Sequence, residues 1–505
     1  MVPALPFALP GADHDPALIG DPPEGISLSH GELRRTLARA VPALALPAKG
    51  LVWLLAPNSV PAAVGLLAAL AAGHAVAVLD PGLGPERLAE LARRFEPELV
   101  LTPASHPEPP VPGLVPVPPG SGEPAGLRLW RRAATVPAAG PVHPELALLM
   151  ATSGSTGNPR FARLSAGAVA ANTAAIIQVL GIGPGERALA HLPLWYSYGL
   201  SVLNSHLAAG GSVVLTGRDL LDDRLWQLAR DTGATALAGV PFHWESLLRL
   251  DLARLAVPGL RLFTQAGGRL PPDRVRRAAA MCAGQGGRFH VMYGQTEAAP
   301  RITTLPAGEA LIRPEAVGPA LPGGRLEILT DTGPTTEPGV VGEVIYYGPN
   351  VMMGYASDRA GLAAGDQLGG RLATGDLGRL EADGTLVLTG RKRGFAKLLG
   401  RRVDLADAEA AAEAVAPAVA VQEGERLVLV TTAADPGLQR RLRAAVEAAT
   451  GLHPGALVCR AVAAFPCLPN GKIDRRRLEE GGLCPLAPDQ GAALDPPKAG
   501  GPWNP

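Results

Sequence analysis

The stretch LALLMATSGSTGNPR, residues 146–160, runs from an apolar segment into a loop of glycine and hydroxyl residues that ends on a cation. The apolar part predicts a buried strand. Glycine lacks the Cβ that holds a ligand away from the backbone, so the loop can bring N–H groups close to a polyanion. The hydroxyl donors of the loop are Thr152, Ser153, Ser155 and Thr156, and its cation is Arg160. The pattern predicts that the loop holds a nucleotide phosphate chain, with a plain Ser/Gly turn between strand and helix as the alternative.

The spacing disfavours another kind of phosphate loop. The P-loop motif, GxxxxGK followed by Ser or Thr, requires a lysine and then a hydroxyl residue directly after its second glycine. Here the second glycine, Gly157, is followed by Asn158 and Pro159. We therefore do not expect a P-loop NTPase.

Length and charge restrict the class of protein. The chain has 505 residues, of which 47% are apolar, and this is enough for two or three globular domains with a sizeable core. Lys plus Arg and Asp plus Glu both number 46, so we expect neither a nucleic acid nor a membrane as a partner. Specificity must therefore come from a local site.

The cysteines and the amino-terminal segment indicate a reducing, cytoplasmic location. The cysteines are Cys282, Cys459, Cys467 and Cys484. They are too far apart for a zinc knuckle and too few for a disulfide framework. The start MVPALPFALPGADHD lacks the basic segment that opens a signal peptide. The long stretch AAVGLLAALAAGHAVAVLDP is split by Gly73 and His74, so it predicts a buried helix followed by a buried strand rather than a membrane span.

Helix and strand patterns alternate through two long regions of the chain. The first runs from about residue 28 to 103 and the second from 145 to about 293, and their order predicts parallel sheets flanked by helices. Between them, residues 106–140 are rich in Pro and Gly and predict a loop. From 318 to 388, short strands separated by Gly and Asp turns predict a small barrel or sandwich.

The composition becomes basic after Gly390, and this change sets the predicted domain boundary. We predict an α/β fold whose large amino-terminal domain, residues 1–391, contains two helix-flanked sheets and a small β-barrel. A smaller α+β domain covers residues 392–480. Residues 481–505 are dominated by Pro, Gly and Ala without periodicity, and they predict a flexible tail.

Four further stretches accompany the phosphate-type loop. They are MYGQTEAAP (292–300), TGDLG (374–378), GRKRGFAKLLGRRVD (390–404) and LPNGKIDRRRL (468–478). This set, in this order, resembles the adenylate-forming superfamily of acyl-CoA synthetases, peptide-synthetase adenylation domains and luciferases. The resemblance covers about residues 28–478 and implies a two-step reaction. A carboxylate attacks the α-phosphate of ATP to give an acyl-adenylate and pyrophosphate, and a thiol then displaces AMP.

The resemblance also implies roles for individual residues in binding the nucleotide. The loop would hold the β- and γ-phosphates, Tyr293 would pack against adenine, and Asp376 would accept hydrogen bonds from the ribose hydroxyls. Arg391 would reach the ribose from the other side. The implied cofactor-binding set is Thr152, Ser153, Gly154, Ser155, Thr156, Gly157, Gly267, Tyr293, Gly294, Asp376, Arg391, Lys397 and Gly400.

The implied catalytic set is Lys472, Thr296, Glu297 and Arg160. Thr296 would donate to the α-phosphate, and Glu297 would bind Mg²⁺, a hard cation that prefers oxygen ligands. Lys472 would bridge the substrate carboxylate and the α-phosphate during adenylation. Arg160 stands where the family usually has lysine, which keeps the charge but changes the geometry.

The resemblance further implies that the small domain is mobile and rotates between the two steps. By position the hinge would be Arg393, where relatives usually carry Asp or Lys. After the rotation, the loop around Lys397 and Gly400 would face the site, and Gly400 would leave room for the pantetheine arm of CoA.

The segment HLPLWYSYGLSVLNSHLAAGG, residues 191–211, resembles the family's substrate-pocket helix. Domains for α-amino acids generally place Asp after an aromatic residue here, whereas this chain has Ser197, so we expect a non-amino acid. Many acyl-CoA synthetases have His where Tyr196 stands. The candidate pocket residues are Tyr196, Ser197, Tyr198, Phe242, His243 and Arg301, with Gly267 beside them. Arg301 would pair either with a second anionic group on the substrate or with a structural carboxylate.

These observations predict an ATP-dependent, AMP-forming ligase that activates a small non-amino carboxylic acid and passes it to CoA. Its cofactors would be ATP, Mg²⁺ and CoA. Delivery to a carrier-protein thiol or to an amine is one alternative, and adenylation of another small oxyanion is a second. The arginines at the usual lysine position of the loop and at the hinge leave a third, a nucleotide-binding protein without catalytic activity.

Overall fold

The computed structural model describes residues 5–22, 25–118, 120, 122, 124–135, 140–152, 160–250, 257–391, 395–398, 401–424, 426–468 and 473–479. The chain divides into two compact units, and the division falls between Arg393 and Gly394. Within the described ranges, no helix is both long and apolar enough to cross a bilayer.

The amino-terminal unit alternates helices and strands over most of its length. Its helices are α1 (His30–Ala40), α2 (Val60–Ala71), α3 (Pro85–Phe95), α4 (Ala166–Leu180), α5 (Ser197–Ala208), α6 (Asp223–Thr232), α7 (Pro241–Leu250), α8 (Pro272–Ala283) and α9 (Glu309–Ile312). Its strands are β1 (Pro16–Gly20), β2 (Leu28–Ser29), β3 (Leu51–Leu54), β4 (Ala75–Val78), β5 (Leu99–Pro103), β6 (Leu114–Pro116), β7 (Leu127–Arg132), β8 (Leu146–Ala151), β9 (Phe161–Ser165), β10 (Arg187–Ala190), β11 (Ser212–Leu215), β12 (Ala236–Gly239), β13 (Leu262–Gln265), β14 (Arg288–Gly294), β15 (Arg301–Thr304), β16 (Ala316–Gly318), β17 (Arg325–Thr330), β18 (Gly333–Thr335), β19 (Gly342–Tyr347), β20 (Gly354–Ala356), β21 (Arg371–Leu380) and β22 (Leu386–Arg391).

Two eight-stranded sheets organise this unit. The first sheet has the order β20-β9-β8-β4-β3-β5-β7-β6, and the second has the order β15-β14-β13-β12-β10-β11-β1-β2. The central strands of both sheets pair in parallel. Strands such as LVWL and AVAV are buried at every position, as expected where helices cover both faces of a parallel sheet. The predicted pair of helix-flanked sheets is therefore present.

Helix α2 is apolar on all sides because it is buried in the core. Its residues share one hydrophobic cluster with Val52 and Val76 of the first sheet and with Val213 and Leu215 of the second. The stretch that approaches membrane-span length is therefore a core helix followed by the buried strand β4, as the sequence predicted.

The segment 106–140 was predicted as a loop, and this prediction was wrong in part. It contains β6 and β7, which extend the first sheet by antiparallel pairing onto β5. Trp130 on β7 is buried, and its indole N–H donates to the hydroxyl of Thr102 at 2.9 Å. The Pro and Gly residues around these short strands obscured their pattern, and the free edge of β5 supplies the pairing that the local sequence does not reveal.

A third sheet covers the region where short strands were predicted. It is antiparallel and has the order β16-β22-β21-β19-β17-β18. A closed barrel requires its terminal strands to pair, whereas this order ends at β16 and at β18, so the predicted small barrel is a six-stranded open sheet. Its core residues, among them Ile328 and Tyr346, form one cluster with Tyr293 at the end of β14. This packing brings β21 and β22 to the end of the second sheet.

The carboxy-terminal unit comprises Gly394–Pro466 and continues from Ile473. Its strands are β23 (Phe395–Leu398), β24 (Arg401–Asp404), β25 (Ala418–Glu423), β26 (Arg426–Thr431) and β27 (Leu457–Ala461), and its helices are α10 (Leu405–Glu413), α11 (Pro436–Thr450) and α12 (Arg475–Glu479). Strand β26 alternates its faces: Leu427 and Leu429 pack with residues of α10 and α11, whereas Val428 and Val430 pack with Leu478 of α12. The unit is thus a small α+β structure with its own core.

Candidate active site

A hydrogen-bonded network joins the end of β14 to the third sheet. The Tyr293 hydroxyl donates to Oδ2 of Asp376 at 2.6 Å, and Nε of Arg391 donates to Oδ1 of the same carboxylate at 2.6 Å. Asp376 and Arg391 are directly opposite in the β21–β22 ladder. The backbone N–H of Asp376 donates to the Thr374 hydroxyl, which in turn donates to the carbonyl of Val344.

In this network, the Asp376 carboxylate accepts hydrogen bonds from two side-chain donors. The pKa of Tyr293 is raised well above its ordinary value because the phenol is buried and faces the Asp376 carboxylate. The pKa of Arg391 is raised chiefly by the same carboxylate. Both partners therefore remain protonated at neutral pH. A carboxylate has about four lone-pair sites, so Asp376 can still accept two further hydroxyl groups.

Thr296 lies beside the first residue of α5. It begins a one-turn 3₁₀ helix, Thr296–Ala298, and its hydroxyl oxygen is 3.1 Å from the hydroxyl oxygen of Ser197. Gly294 precedes this turn, and a Cβ there would lie 1.9 Å from the carbonyl oxygen of Pro300, so the close return of the chain requires glycine. The contact between Thr296 and Ser197 joins the YGQTE motif to the predicted substrate-pocket helix.

Tyr355 connects Glu297 to Arg160. The Tyr355 hydroxyl donates to Oε1 of Glu297 at 2.6 Å, and the Arg160 guanidinium lies over the Tyr355 ring at 4.7 Å from its centre. Strand β20, which carries Tyr355, pairs with β9 directly after Arg160. The predicted metal ligand therefore contacts the hydroxyl of Tyr355, and the predicted phosphate cation lies over the ring of the same residue.

Tyr196 and Gly267 lie against each other. Gly267 has a φ of +86°, and a Cβ there would lie 2.3 Å from the Tyr196 hydroxyl oxygen, so a larger residue at this position would displace the phenol. Burial raises the pKa of Tyr196, which stays neutral. Tyr196 immediately precedes α5, so its hydroxyl is fixed near the start of the pocket helix.

An interior cavity of about 20 Å³ runs along α5. Its polar lining residues are Tyr198, Ser201, Ser205, His206, Thr264 and Arg301, and the others are apolar. The Tyr198 hydroxyl is 2.7 Å from the Thr264 hydroxyl, and burial raises the pKa of Tyr198 to about 12. The Arg301 guanidinium lies over the Tyr198 ring at 5.0 Å from its centre. Two of the predicted pocket residues, Tyr198 and Arg301, thus share one cavity.

The other two predicted pocket residues lie on α7. Phe242 is 39% exposed, whereas His243 is buried and its ring is tilted by 57° to that of His191, with 4.9 Å between ring centres. Nδ1 of His243 accepts from the Val240 backbone N–H at 3.4 Å. Burial lowers the pKa of His243 to about 3, so this imidazole is neutral. Neither side chain is among those that line the α5 cavity.

Several predicted site residues lie outside the described part of the chain. They are Ser153, Gly154, Ser155, Thr156, Gly157, Arg393, Gly400 and Lys472. At the border of the loop, the Thr152 hydroxyl donates to the carbonyl of Arg160 at 3.1 Å, which draws the two described ends of the loop together. Lys397 lies on β23, paired with Arg402, and its side chain is not described. The roles of these residues stay predictions.

Sequence analysis missed three residues that shape the site. The first is Tyr355. In the sequence it is a single aromatic residue after Gly354 in a short segment, and this is a weak signal for a functional residue. The second and third are Asn172 and Asn350, whose amides both donate to the carbonyl of Arg301, at 3.0 and 2.8 Å. A buried asparagine that holds a backbone segment has no distinctive sequence pattern.

Comparison with known proteins identifies the family. The model of the AMP-binding enzyme family matches residues 11–356. The chain belongs to the AMP-binding enzyme family. The chain is 30% identical over 486 residues to the sulfoacetate–CoA ligase of Cupriavidus necator. This match covers 90% of this chain and 93% of that protein.

Other relatives of this AMP-binding enzyme are much longer proteins. CymA of Salinispora arenicola, described as a nonribosomal peptide synthetase, is 31% identical over 479 residues. That match covers 88% of this chain but only 6% of CymA. The relatives of this chain therefore include proteins named as CoA ligases and proteins named as peptide synthetases.

Solved structures share the fold of this AMP-binding enzyme. ATP-bound MatB from Rhodopseudomonas palustris has a TM-score of 0.71 and 24% identity, with 93% of this chain and 96% of that chain covered. The o-succinylbenzoate CoA synthetase MenE from Bacillus subtilis, in complex with AMP, has a TM-score of 0.71 and 21% identity, with 92% and 95% covered. The predicted fold class is confirmed.

Proposed function

We propose that this AMP-binding enzyme activates a small non-amino carboxylic acid with ATP and transfers the acyl group to CoA. The observation that carries the proposal is the 3.1 Å contact between Thr296 and Ser197. Thr296, the threonine of the YGQTE motif, thus lies beside the first residue of α5, the helix that lines the cavity. A carboxylate bound there would lie next to the α-phosphate.

In the first step, the acid's carboxylate oxygen attacks the α-phosphorus and the bond to the β-phosphate breaks, so pyrophosphate leaves. Asp376 would accept the ribose hydroxyls, and Tyr293 would present its buried ring to adenine. Thr296 would donate to an α-phosphate oxygen. Arg160 and the loop after Thr152 would take up charge on the departing pyrophosphate, since this transition state needs electrostatic stabilisation and positioning.

Glu297 is the residue that would hold Mg²⁺. The described residues contain no group of three or more His, Cys, Asp or Glu side chains suited to a metal ion, so the proposal rests on this one carboxylate. It fits, because Mg²⁺ is commonly bound by one or two carboxylates together with substrate phosphates. Oε1 of Glu297 accepts a hydrogen bond from the Tyr355 hydroxyl, which orients the carboxylate. When bound, the metal would neutralise phosphate charge.

In the second step, the thiol sulfur of CoA attacks the acyl carbonyl carbon and the bond to AMP breaks. Support for CoA comes from the Cupriavidus relative, which is named a CoA ligase and is matched over 93% of its length. A carrier-protein thiol is the second candidate acceptor, and the match to CymA favours it. A neutral Ser197 hydroxyl, instead of a carboxylate, supports a substrate without an ammonium group.

The test is acid-dependent release of pyrophosphate from ATP, measured with a panel of short carboxylic acids and α-amino acids. We expect release with one or more non-amino acids, and formation of the acyl thioester when CoA is added. Lys472→Ala should lower release by at least about 100-fold if the lysine neutralises charge in the transition state. Lys49→Ala is the matched control, since it removes a lysine whose ammonium group donates to the carbonyl of Pro144.

The outcomes separate the alternatives. Release without transfer to CoA, combined with acylation of a phosphopantetheinylated carrier protein, would support the carrier-protein acceptor. Release that depends on α-amino acids would contradict the role given to Ser197. Binding of ATP without release under any condition would make the chain a nucleotide-binding protein without ligase activity, and would contradict the proposal.

A further inference from the structure

Arg301 is buried and held in place at the cavity along α5. Its side chain is 2% exposed, its guanidinium lies over the Tyr198 ring, and its Nη1 contacts the sulfur of Met292. The amides of Asn172 and Asn350 fix its backbone carbonyl. This arginine is therefore a fixed feature of the cavity wall.

Arg301 lacks the partners that other buried arginines of this chain have. Arg163 donates to the carbonyls of Ala364, Met353 and Gly365 and to Gln367. Arg359 pairs with Glu98 and also donates to the carbonyl of Gly140. In the described ranges, no Asp or Glu pairs with Arg301, and the titratable groups that act on it are the neutral phenols of Tyr198 and Tyr196.

A buried guanidinium remains charged and is costly to leave without an anion. None of the side chains that line the described cavity is a carboxylate. His206, the other basic residue of the cavity, is neutral: its Nδ1 donates to the carbonyl of Val202, and burial lowers its pKa to about 4. Arg301 is thus the positive charge of the cavity as described, and no described side chain of the cavity supplies the opposite charge.

We propose that Arg301 pairs with a second anionic group on the acid, so that the substrate is a short acid with a carboxylate or sulfonate besides its reacting carboxylate. The inference rests on the proposed function. Ser197, next to Thr296, and Tyr198, next to Arg301, are the first two residues of α5, so the reacting carboxylate and the second anion are both assigned to the amino-terminal end of this helix. The cavity of about 20 Å³, little more than the volume that one water needs, leaves no room for a long tail.

The first test uses the unmodified protein and pairs of acids with matched shapes. Malonate is compared with isovalerate, succinate with isocaproate, and sulfoacetate with tert-butylacetate. In each pair, an apolar branched group replaces the second anion. We expect kcat/KM for pyrophosphate release to be at least about 100-fold higher for the favoured dianionic acid than for its apolar match, because an unpaired buried charge rejects the apolar group.

Variants assign this preference to Arg301. Arg301→Met keeps much of the volume and should lower kcat/KM for the favoured dianionic acid by about 100-fold or more, and so remove the preference over the apolar match. Arg301→Lys should recover part of the preference because it restores the charge. Arg359→Met, which removes another buried arginine, should keep the preference even if it lowers stability.

Three results would overturn the inference. If the apolar acids are used as well as their dianionic matches by the unmodified protein, the second anion is wrong while the proposed ligase function stands. If Arg301→Met keeps the preference, another residue recognises the anion. If no acid of either kind supports release, the proposed function itself fails and this inference with it. The first comparison does not depend on whether the variants fold.

Discussion

At the scale of single residues, Tyr355 has the most direct consequence for catalysis, because it contacts both Glu297 and Arg160. Tyr355→Phe would remove the hydroxyl that donates to Glu297 and keep the ring beneath the guanidinium. We expect the rate of pyrophosphate release to fall about 10-fold, and the Mg²⁺ concentration that gives half-maximal rate to rise, because residues that orient a metal ligand typically contribute about 10–100-fold.

The matched control is Tyr347→Phe, which leaves a ring beside Arg325 on the third sheet. This variant should not change the Mg²⁺ dependence. A Tyr355→Phe protein with an unchanged Mg²⁺ titration would mean that the hydroxyl does not position Glu297 for metal binding.

Asp376 gives a second prediction at this scale. In Asp376→Asn, the amide NH₂ would face either the Tyr293 hydroxyl or the Arg391 guanidinium, both of which are hydrogen-bond donors. The negative charge that pairs with Arg391 would also be lost. We expect KM for ATP to rise by about 10-fold or more, with a much smaller change in KM for the acid. The measurement is a pair of initial-rate titrations.

Asp383→Asn is the control for Asp376→Asn. Asp383 pairs with Arg313 at the surface of the same unit, and this pair lowers the pKa of Asp383 to about 2. Surface ion pairs contribute about 1 kcal/mol or less, so this variant should fold and keep its KM for ATP. Equal changes in KM for ATP and for the acid in Asp376→Asn would argue against a specific role at the ribose.

At the scale of elements, the sequence predicted those structures whose pattern is local. The order of helices and strands from α1 to β5 follows from apolar periodicity, and the apolar α2 follows from its burial between two sheets. Strands β6 and β7 could not be found in this way, because their stability depends on pairing with the distant strand β5. The open form of the third sheet likewise depends on which strands meet.

The residues of the site divide in the same way, into those that a local motif identifies and those that only the fold brings together. The YGQTE and TGDLG motifs pointed to Tyr293 and Asp376, and the structure places the two side chains in contact. Tyr355 reaches Glu297 through the pairing of β20 with β9, a contact between segments almost two hundred residues apart that no single motif contains. Arg301 has no carboxylate partner among the described residues, and this depends on how several elements pack around it. The sequence alone therefore could not decide between a structural carboxylate and an anionic group of the substrate.

The apolar wall that α4 contributes to the cavity gives a prediction at this scale. Ile176→Ala would remove three carbon atoms from a buried side chain that lines the cavity. We expect the unfolding free energy to fall by about 2–4 kcal/mol and the preferred acid to lengthen by one or two carbons, because the site gains volume. The measurement is kcat/KM across a series of acids of increasing length.

Ile328→Ala is the matched control, since Ile328 is buried in the core of the third sheet. It should cost a similar amount of stability and leave the chain-length preference unchanged. An unchanged preference in Ile176→Ala would mean that the acid does not enter the cavity along α5.

At the scale of the whole molecule, equal numbers of acidic and basic residues give no strong net charge at neutral pH, so the pH dependence of stability is set by particular buried groups. Three of these are histidines of the amino-terminal unit. Burial lowers the pKa of His191 and of His206 to about 4 and that of His243 to about 3, whereas an unfolded chain binds these protons near pH 6.5.

The sign of the effect follows from these values. Above about pH 6.5, the histidines are neutral in both states and their contribution does not change with pH. Between about pH 6.5 and 4, the unfolded chain binds protons that the folded unit excludes, so stability is lost as the pH falls. Each histidine contributes a slope of about 1.4 kcal/mol per pH unit within this window.

His191→Gln tests this prediction, because a glutamine amide can replace the imidazole N–H that donates to the carbonyl of Ala238. We expect the slope of unfolding free energy against pH to fall by about 1.4 kcal/mol per pH unit between pH 6 and 4.5. Urea unfolding followed by tryptophan fluorescence reports on the amino-terminal unit, since five of the six tryptophans lie before residue 250. The exposed His14, changed to Gln, should leave the slope as it is. If both variants keep the original slope, the buried His191 imidazole binds a proton in the folded unit, and other groups account for the loss of stability in acid.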